Sequence, residues 1–397
     1  MKARMLALAA AVALAAPAHA DWARSWAASV QQPDPPRPGA TATPTPLAGR
    51  TIRQVVRLSS GGARLRVQLS NEMGGAPLQL RSVRVGLLAP DGALVQGSER
   101  QVTFAGAPDA TIPAGAPLLS DPVPLAAPAP SRLVVSFLIP EDVPHPTVHP
   151  LGRATAVIRD GDTGLASGPG RNVGQRWFLS AVDVDGPRNA ATVVTLGDSI
   201  TDGARATVDA DHRWPDILAE RLQHAGLRNI AVANEGISGN RVLKDVNGPN
   251  ALARLDRDVL SAPNVRWLIV LEGINDIGKA ARDHEADAPS AADIITGYRQ
   301  IIDRAHAHGV RVLGATILPY RGAPYFTEDG DAVRRQVNAW IRAPGHFDGL
   351  VDFERAVADP ADPSRIAKPY DGGDALHPSD AGYKAMGEAI DLKLFRR

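Results

Sequence analysis

Alternating apolar and polar residues dominate the first half of the chain. In the segment 64–69 the apolar residues Leu65, Val67 and Leu69 alternate with arginine and glutamine, as expected for half-buried strands. Residues 82–87 repeat the pattern, whereas 133–139 is almost wholly apolar and favours a core strand. Glycine and proline clusters separate the runs, and no amphipathic helix interrupts them. We therefore expect an all-β sandwich over residues 21–187.

Strands and helices alternate in the second half. Apolar runs predict strands at 191–196, 229–233, 265–271, 310–317 and 350–353. Helical periodicity lies between them, for example after Trp214 and after Ser290, which opens a capping box with Asp293. Repeated β-α-β units imply a parallel sheet with helices on both faces, so we expect a second domain over residues 188–397.

The first twenty residues have the features of a secretory signal peptide. Lys2 and Arg4 give a basic start, 5–16 is a short apolar stretch, and Ala18-His19-Ala20 fits a cleavage site. The alternative is a retained N-terminal anchor. Cleavage would start the mature protein at Asp21 and send it to the periplasm or the medium.

The composition of the chain limits the kinds of partner and site that we expect. Lys plus Arg and Asp plus Glu both total 43, so no net field attracts nucleic acid or an anionic membrane. No later segment is apolar for long enough to cross a bilayer. The absence of cysteine excludes disulfides, thiolate catalysis and zinc–thiolate sites. We expect no nucleic-acid partner and no stable membrane span.

Two short segments contain a serine and the two residues that could activate it as a nucleophile. Gly197 to Gly203 follows the 191–196 strand and contains Ser199, and the segment 374–378 contains Asp374 and His377. A serine hydroxyl becomes a good nucleophile when an imidazole takes its proton, and a carboxylate keeps that imidazole in the required tautomer. The chain therefore contains a candidate catalytic triad.

Acyl transfer also needs donors for the carbonyl oxygen, which becomes negative. Residues 234–241 follow the next strand and include a glycine whose backbone can approach a ligand closely. Residues 272–276 follow the third strand and include an asparagine amide. Both segments come at carboxyl ends of parallel strands, where open α/β sheets place their sites.

Four blocks in order, Gly-Asp-Ser-Ile, Ser-Gly-Asn, Gly-Ile-Asn-Asp and Asp-x-x-His-Pro, resemble the SGNH (GDSL-type) hydrolase family. The resemblance implies that Ser199 is the nucleophile and that its own amide, the Gly239 amide and the Asn275 side chain form the oxyanion hole. It implies His377 as the base and Asp374 as its orienting carboxylate. It further implies a flavodoxin-like three-layer α/β/α fold, an acyl-enzyme, and no metal or organic cofactor.

The first half resembles, more weakly, the β-sandwich that precedes the SGNH domain in exported bacterial esterases. The resemblance lies in Trp26-Ala27-Ala28-Ser29, Ile52-Arg53-Gln54 and Leu69-Ser70-Asn71, with Arg213-Trp214-Pro215 in the second half. That group includes relatives of xylanase-associated acetylesterases and lipolytic enzymes. It points by association to an acylated carbohydrate as the ester substrate.

These observations lead to one main functional prediction with three alternatives. The protein is expected to be an exported serine carboxylic ester hydrolase that removes acetyl or other short acyl groups from carbohydrate. The alternatives are a lipolytic or aryl esterase of broad specificity, an acyltransferase, and a carbohydrate-binding protein with a vestigial hydrolase domain.

We expect structural roles for three further residues. Asp198 is expected to shape the turn at Gly197 to Gly203 that carries Ser199, called the serine turn below. Asp202 is expected to cap the first helix. His149 lies in a proline-rich loop, where plain packing is favoured over a position in a cleft between the domains.

Overall fold

The protein is described by a computed structural model that covers residues 21–33, 45–283 and 285–396. The predicted signal peptide, residues 1–20, lies outside the described residues.

Antiparallel strands make up the first half. They are β1 (Trp22–Ala27), β2 (Arg50–Leu58), β3 (Leu65–Ser70), β4 (Leu78–Leu88), β5 (Arg100–Gln101), β6 (Ala110–Ile112), β7 (Pro117–Leu119), β8 (Ser131–Ile139), β9 (Val148–His149), β10 (Ala156–Asp160), β11 (Arg171–Val173), β12 (Arg176–Trp177) and β13 (Leu179–Asp185). One sheet has the order β1-β13-β3-β7 and a larger one has the order β11-β10-β2-β8-β4-β5, with β6 also paired to β4. β9 pairs with β12.

One hydrophobic core joins the two larger antiparallel sheets. Leu65 and Val182 from the smaller sheet and Val85 and Val135 from the larger sheet are fully buried in the same cluster. The alternation predicted for residues 64–69 is confirmed, because Leu65, Val67 and Leu69 are buried whereas Arg66 and Gln68 are partly exposed. The first half is thus an antiparallel, sheet-rich region built as a sandwich.

The second half contains a parallel sheet. Its strands are β14 (Ala191–Gly197), β15 (Ile230–Gly236), β16 (Val265–Leu271), β17 (Arg311–Ala315) and β18 (Gly349–Val351), in the order β15-β14-β16-β17-β18. All adjacent pairs are parallel. This is the flavodoxin-like order, in which the chain reverses direction across the sheet beside its first strand. The predicted fold class is confirmed.

Helices cover the parallel sheet. They are α1 (Ser199–Asp202), α2 (Trp214–His224), α3 (Ala251–Leu255) continued by a π-helical turn (Asp256–Leu260), α4 (Ile274–Arg282), α5 (Ala291–Ala307), α6 (Glu328–Arg342), α7 (Phe353–Val357) and α8 (Asp380–Ala389), with 3₁₀ turns at Lys368–Tyr370 and Leu392–Phe395. α2 packs against α8, while α5 packs against α3 and α6, as expected for two helical layers. The predicted capping box of α5 is confirmed, since Ser290 and Asp293 bond reciprocally.

The apolar pattern did not predict α6, because much of its buried face is polar. Asp331, Arg334 and Asn338 are all almost fully buried. Arg334 donates to Asp331 across 2.7 Å, and Asn338 donates to the carbonyl oxygen of Ile317 across 2.8 Å. Thr327 caps the helix. Internal pairing therefore satisfies the polar groups that would otherwise forbid burial.

Strand β1 connects the two halves by packing along β15, the edge strand of the parallel sheet. The Arg24 amide donates to Thr192 Oγ1 across 3.0 Å. Ser59 Oγ lies 2.9 Å from both the amide nitrogen and the carbonyl oxygen of Val232. The antiparallel region is therefore in direct contact with the strand that leads into the second sequence block.

Candidate active site

The structure brings together the three residues predicted to form the triad. Ser199 Oγ lies 2.8 Å from His377 Nε2, and His377 Nδ1 lies 2.9 Å from Asp374 Oδ2. Ser199 is the first residue of α1, directly after β14, and the other two precede α8. Each distance is within hydrogen-bonding range, so the hydroxyl, the imidazole and the carboxylate form a continuous chain.

Several donors stabilise the charge of Asp374. The His377 amide donates to Oδ1 across 2.9 Å, and Arg205 Nε donates to Oδ2 across 3.0 Å. Partial burial favours the neutral carboxyl, but the bonds from the His377 side chain and amide and from Arg205 outweigh it and hold the pKa well below its usual range. No motif predicted Arg205, which is exposed.

Asp198 shapes the serine turn as expected. Its carboxylate is the N-cap of α1 and accepts from the Ile200 amide across 2.9 Å. A Cβ at the preceding Gly197 would lie 2.3 Å from the Leu271 carbonyl oxygen, so β14 and β16 approach closely only at a glycine. Burial raises the pKa of Asp198 to about 7. Ser199 itself is only 7% exposed.

The expectation that Asp202 caps the first helix is wrong. The N-cap of that four-residue helix is Asp198, and Asp202 is its last residue. Its carboxylate instead accepts from the amide and the hydroxyl of Ser238 at 3.0 and 2.8 Å, and lies 3.0 Å from His149 Nε2. The favoured interpretation of His149 as plain loop packing misses this contact, which joins the antiparallel region to the second block.

The predicted oxyanion donors come from adjacent strand ends. The Ile237 amide donates to the Gly197 carbonyl oxygen across 2.9 Å, which fixes the second block against the serine turn. Asn275 Nδ2 donates to the Asn240 carbonyl oxygen across 3.0 Å, which fixes the third block against the second. An amide group has two hydrogens, so Asn275 keeps a second one for another acceptor.

Gly239 has a backbone conformation that favours glycine. Its φ is +82°, and a Cβ there would lie 2.6 Å from both Asn247 Oδ1 and Lys279 Nζ. Lys279 Nζ donates to the Gly239 carbonyl oxygen across 3.1 Å and to Asn247 Oδ1 across 2.7 Å. Lys279 thus holds the turn that presents the Gly239 amide, through its bond to the Gly239 carbonyl oxygen.

Arg254 is a buried residue that the sequence analysis did not single out. It donates to the carbonyl oxygens of Gly197 and Glu235 at 2.9 and 2.6 Å and to Asn240 Oδ1 at 3.0 Å. It also lies 3.8 Å from Glu272 Oε2. One guanidinium therefore joins the ends of β14, β15 and β16. Only its unusual place on the buried face of a helix could have indicated this role.

A small buried network beside Arg254 contains a residue from the antiparallel region. Ser29 Oγ lies 2.8 Å from Glu235 Oε2 and 2.7 Å from Asp258 Oδ2. Arg254 Nη1 lies 3.0 Å from Asp258 Oδ2. One hydroxyl hydrogen cannot serve two carboxylates, so one of the acids must be neutral. Burial and the neighbouring Asp258 charge raise the pKa of Glu235 to about 8, which identifies it as the neutral acid.

Within residues 21–33, 45–283 and 285–396, no group of three or more His, Cys, Asp or Glu side chains is placed to hold a metal ion. Over the same ranges, no helix is both long enough and apolar enough to cross a membrane.

Comparisons with solved structures find proteins of about half this chain's length. A GDSL-like lipase from Bacteroides thetaiotaomicron is 20% identical, with 53% of this chain and 90% of that chain covered and a TM-score of 0.40. An aryl esterase from M. smegmatis is 19% identical, with coverages of 50% and 96% and a TM-score of 0.40. An acetyl xylan esterase, AlAXEase, is 21% identical, with coverages of 50% and 96% and a TM-score of 0.39. No curated protein sequence matches the chain.

The comparison with protein families gives a match that includes all four sequence blocks. The profile of the GDSL-like lipase/acylhydrolase family matches residues 195–385, which contain Ser199, Gly239, Asn275 and the Asp374–His377 pair. The parallel sheet has the flavodoxin-like order expected for that family. Residues 195–385 are thus a GDSL-like lipase/acylhydrolase domain.

Proposed function

We propose that this protein is an exported serine carboxylic ester hydrolase that removes acetyl or other short acyl groups from carbohydrate through an acyl-enzyme. The observation that carries the proposal is the continuous chain of hydrogen bonds from Ser199 through His377 to Asp374. Such a chain activates a hydroxyl for attack on an ester carbonyl.

The proposed reaction has two halves. Ser199 Oγ attacks the ester carbonyl carbon while His377 Nε2 takes the hydroxyl proton, and Asp374 stabilises the resulting imidazolium through Nδ1. The negative oxygen accepts from the amides of Ser199 and Gly239 and from the Asn275 side chain. His377 then protonates the leaving alcohol, and the acyl group remains on Ser199.

Deacylation repeats the same steps with water. His377 takes a proton from a water molecule, the hydroxide attacks the acyl carbon, and the second tetrahedral intermediate collapses as Ser199 regains its proton. The short side chain of Asp374 keeps its contact with Nδ1 in both halves, so the same nitrogen of His377 serves as base and acid each time.

The surroundings of the triad support a small acyl group and a polar alcohol. Ser199 is almost buried, which leaves little room for a long apolar chain beside its hydroxyl. Polar side chains bond to two of the site residues: Arg205 donates to Asp374, and Lys279 donates to the Gly239 carbonyl oxygen. Charged and amide groups can hydrogen-bond to a hydroxyl-rich leaving group, whereas a lipid chain offers them no partner.

We propose further that residues 21–187 and 188–397 are an accessory domain and a hydrolase domain, preceded by a cleaved signal peptide. The change from antiparallel to parallel pairing between Asp185 and Ala191 supports this division. Export of the full chain in a bacterial host followed by mass determination of the released protein tests the cleavage. A mature protein beginning at Asp21 is expected.

Hydrolysis of p-nitrophenyl esters of increasing chain length tests the acyl preference, with Ser199→Ala as the control. We expect the wild type, but not the variant, to release p-nitrophenol from p-nitrophenyl acetate. We also expect the wild type to deacetylate acetylated polysaccharide. A preference for long chains would favour a lipolytic enzyme instead. Acyl transfer to an added sugar in preference to water would favour an acyltransferase. Polysaccharide binding without any Ser199-dependent turnover would favour the non-enzymatic alternative.

A further inference from the structure

His149 lies in β9 of the antiparallel region but points at the hydrolase domain. It is 5% exposed. Nδ1 lies 2.8 Å from the carbonyl oxygen of Ser29, and Nε2 lies 3.0 Å from Asp202 Oδ1 and 3.2 Å from the carbonyl oxygen of Leu151. Both ring nitrogens are therefore engaged, and the proposed mechanism uses neither of them.

These partners determine how many protons the ring carries. A backbone carbonyl oxygen can only accept, so Nδ1 must donate to Ser29 and Nε2 must donate toward Leu151 and Asp202. The Asp202 carboxylate accepts two hydrogen bonds from Ser238 on its other oxygen. A ring with a hydrogen on each nitrogen is an imidazolium, and it faces a carboxylate in a buried site.

The charged groups around His149 act in opposite directions. Burial alone would lower the pKa of His149, but the Asp202 charge and the hydrogen bonds that the ring donates to Asp202 and to the Ser29 carbonyl oxygen outweigh it, so that the pKa is raised. Arg176 faces His149 across the β9–β12 pair and opposes this shift. Arg213 lines the same small cavity of about 10 Å³ from the segment before α2. Asp202 is thus the nearest counter-charge to the ring.

Asp202 is connected to two of the three candidate oxyanion donors. It ends the single-turn helix that begins with Ser199, and its amide bonds to the Asp198 carbonyl oxygen across 2.9 Å. Its carboxylate holds the amide and the hydroxyl of Ser238, the residue directly before Gly239. A shift of Asp202 would therefore move the backbone on both sides of the oxyanion hole.

We propose that His149 is a positioning residue for the oxyanion hole: as an imidazolium it holds Asp202, and Asp202 holds the Ser199 and Gly239 amides at the spacing that the reaction needs. The antiparallel region thus completes the catalytic domain from outside it. The inference rests on the proposed function of Ser199 and specifies how that site depends on pH.

Loss of the ring charge should lower turnover more than substrate binding. When His149 loses a proton at high pH, one ring nitrogen faces oxygen acceptors with a lone pair, and its hold on Asp202 weakens. Oxyanion donors act mainly in the transition state, so kcat should fall while KM changes little. We expect an alkaline limb in the pH dependence of kcat, at pH values above the raised pKa of His149.

Substitutions of His149 test this, with His145, an exposed residue four positions earlier, as the matched control. Displacement of an oxyanion donor typically costs about 100-fold in rate, so we expect His149→Ala to lower kcat by about that factor on p-nitrophenyl acetate. His149→Gln keeps a donor to Asp202 without the charge, so it should lose about 10-fold and show no alkaline limb. His145→Ala should match the wild type. Equal kcat values in His149→Ala and His145→Ala would overturn the proposal.

Ser238→Ala provides a second test of the proposal if the His149 variants fail to fold. It removes the hydroxyl bond to Asp202 and leaves the amide bond, so kcat should fall by about 10-fold with only a small loss of stability. Wild-type kcat in that variant would also contradict the proposal.

Two readouts are independent of the natural ester. Nitrogen NMR of histidine-labelled protein, assigned by difference from His149→Gln, should show two protonated ring nitrogens near neutral pH, and a neutral ring would refute the inference. The rate at which a fluorophosphonate labels Ser199 should fall in His149→Ala. If the wild type labels normally but hydrolyses no acetyl ester, only the acyl preference is wrong, and an unchanged labelling rate in His149→Ala would overturn the positioning role.

Discussion

Arg254 Nη2 donates a 2.9 Å hydrogen bond to the carbonyl oxygen of Gly197, at the point where β14 leads into the turn that carries Ser199. The two residues are 57 positions apart, and Arg254 is fully enclosed. Because the same guanidinium also reaches Glu235 and Asn240, it fixes the relative positions of the strand ends on which the site depends.

Arg254→Met should therefore destabilise the protein and reduce its activity. Removing one partner of a buried ion pair costs about 3–5 kcal/mol, and here Asp258 and the carbonyl oxygens of Gly197 and Glu235 would each lose one donor. Urea unfolding followed by circular dichroism measures the loss. Arg266→Met, at an exposed position, is the control and should change stability by less than about 0.5 kcal/mol. Similar unfolding midpoints for the two variants would show that Arg254 is not a structural centre.

Asp374→Asn should nearly abolish turnover. The amide cannot stabilise the imidazolium and favours the wrong tautomer of His377, a change that costs about 10⁴-fold in kcat in serine triads. Arg205→Met is the comparison, because Arg205 bonds to the same carboxylate but is 55% exposed. Exposed ion pairs contribute about 0–1 kcal/mol, so this variant should lose less than about 10-fold. Steady-state kinetics on one ester distinguish the two effects.

Gly239→Ala should lower kcat by about 100-fold, because the added Cβ meets Lys279 and Asn247 and displaces the turn that carries a proposed oxyanion donor. Its positive φ also costs about 1–2 kcal/mol of stability. Gly226→Ala is a matched control: its φ is +79° and no atom lies within 4 Å of the added Cβ. Both variants should lose similar stability, but only the first should lose activity. Equal activities would remove Gly239 from the site.

The stability of the protein should fall as the pH rises from 4.5 to about 8, and Glu235 should contribute to that fall. Its ordinary pKa is 4.5 and burial raises it to about 8, so the folded state binds more protons than the unfolded state across this window. The contribution is therefore present at low pH and is lost as the pH rises through the folded pKa. Glu235→Gln mimics the neutral acid and should melt at a higher temperature than the wild type above pH 8.

Melting curves at several pH values test this prediction. Near pH 4.5 the wild type and Glu235→Gln should have similar melting temperatures, since Glu235 is then neutral in the folded state. Other buried acids, such as Asp198 and Asp276, act in the same direction, so the difference between the two proteins isolates Glu235. A constant difference across the whole range would mean that Glu235 does not titrate as inferred.

The sequence alone predicted those features that depend on near neighbours in the chain. The alternation in β3, the apolar run of β14 and the capping box of α5 follow from local periodicity and local hydrogen bonding. The four blocks also predicted the family, because each lies in a short, contiguous segment. Their contacts then follow from the strand order, which places the ends of β14, β15 and β16 side by side.

Tertiary structure alone decided the rest. Asp202 was expected to cap a helix, but the position of Ser238 and His149 gives its carboxylate different partners. The helix α6 escaped prediction because its buried polar residues are satisfied by groups distant in the chain. Polar burial is permitted only where donors and acceptors meet in space, and a linear pattern of hydrophobicity does not contain that information. Local periodicity thus determined the elements, and long-range pairing of polar groups decided how they are joined around Ser199.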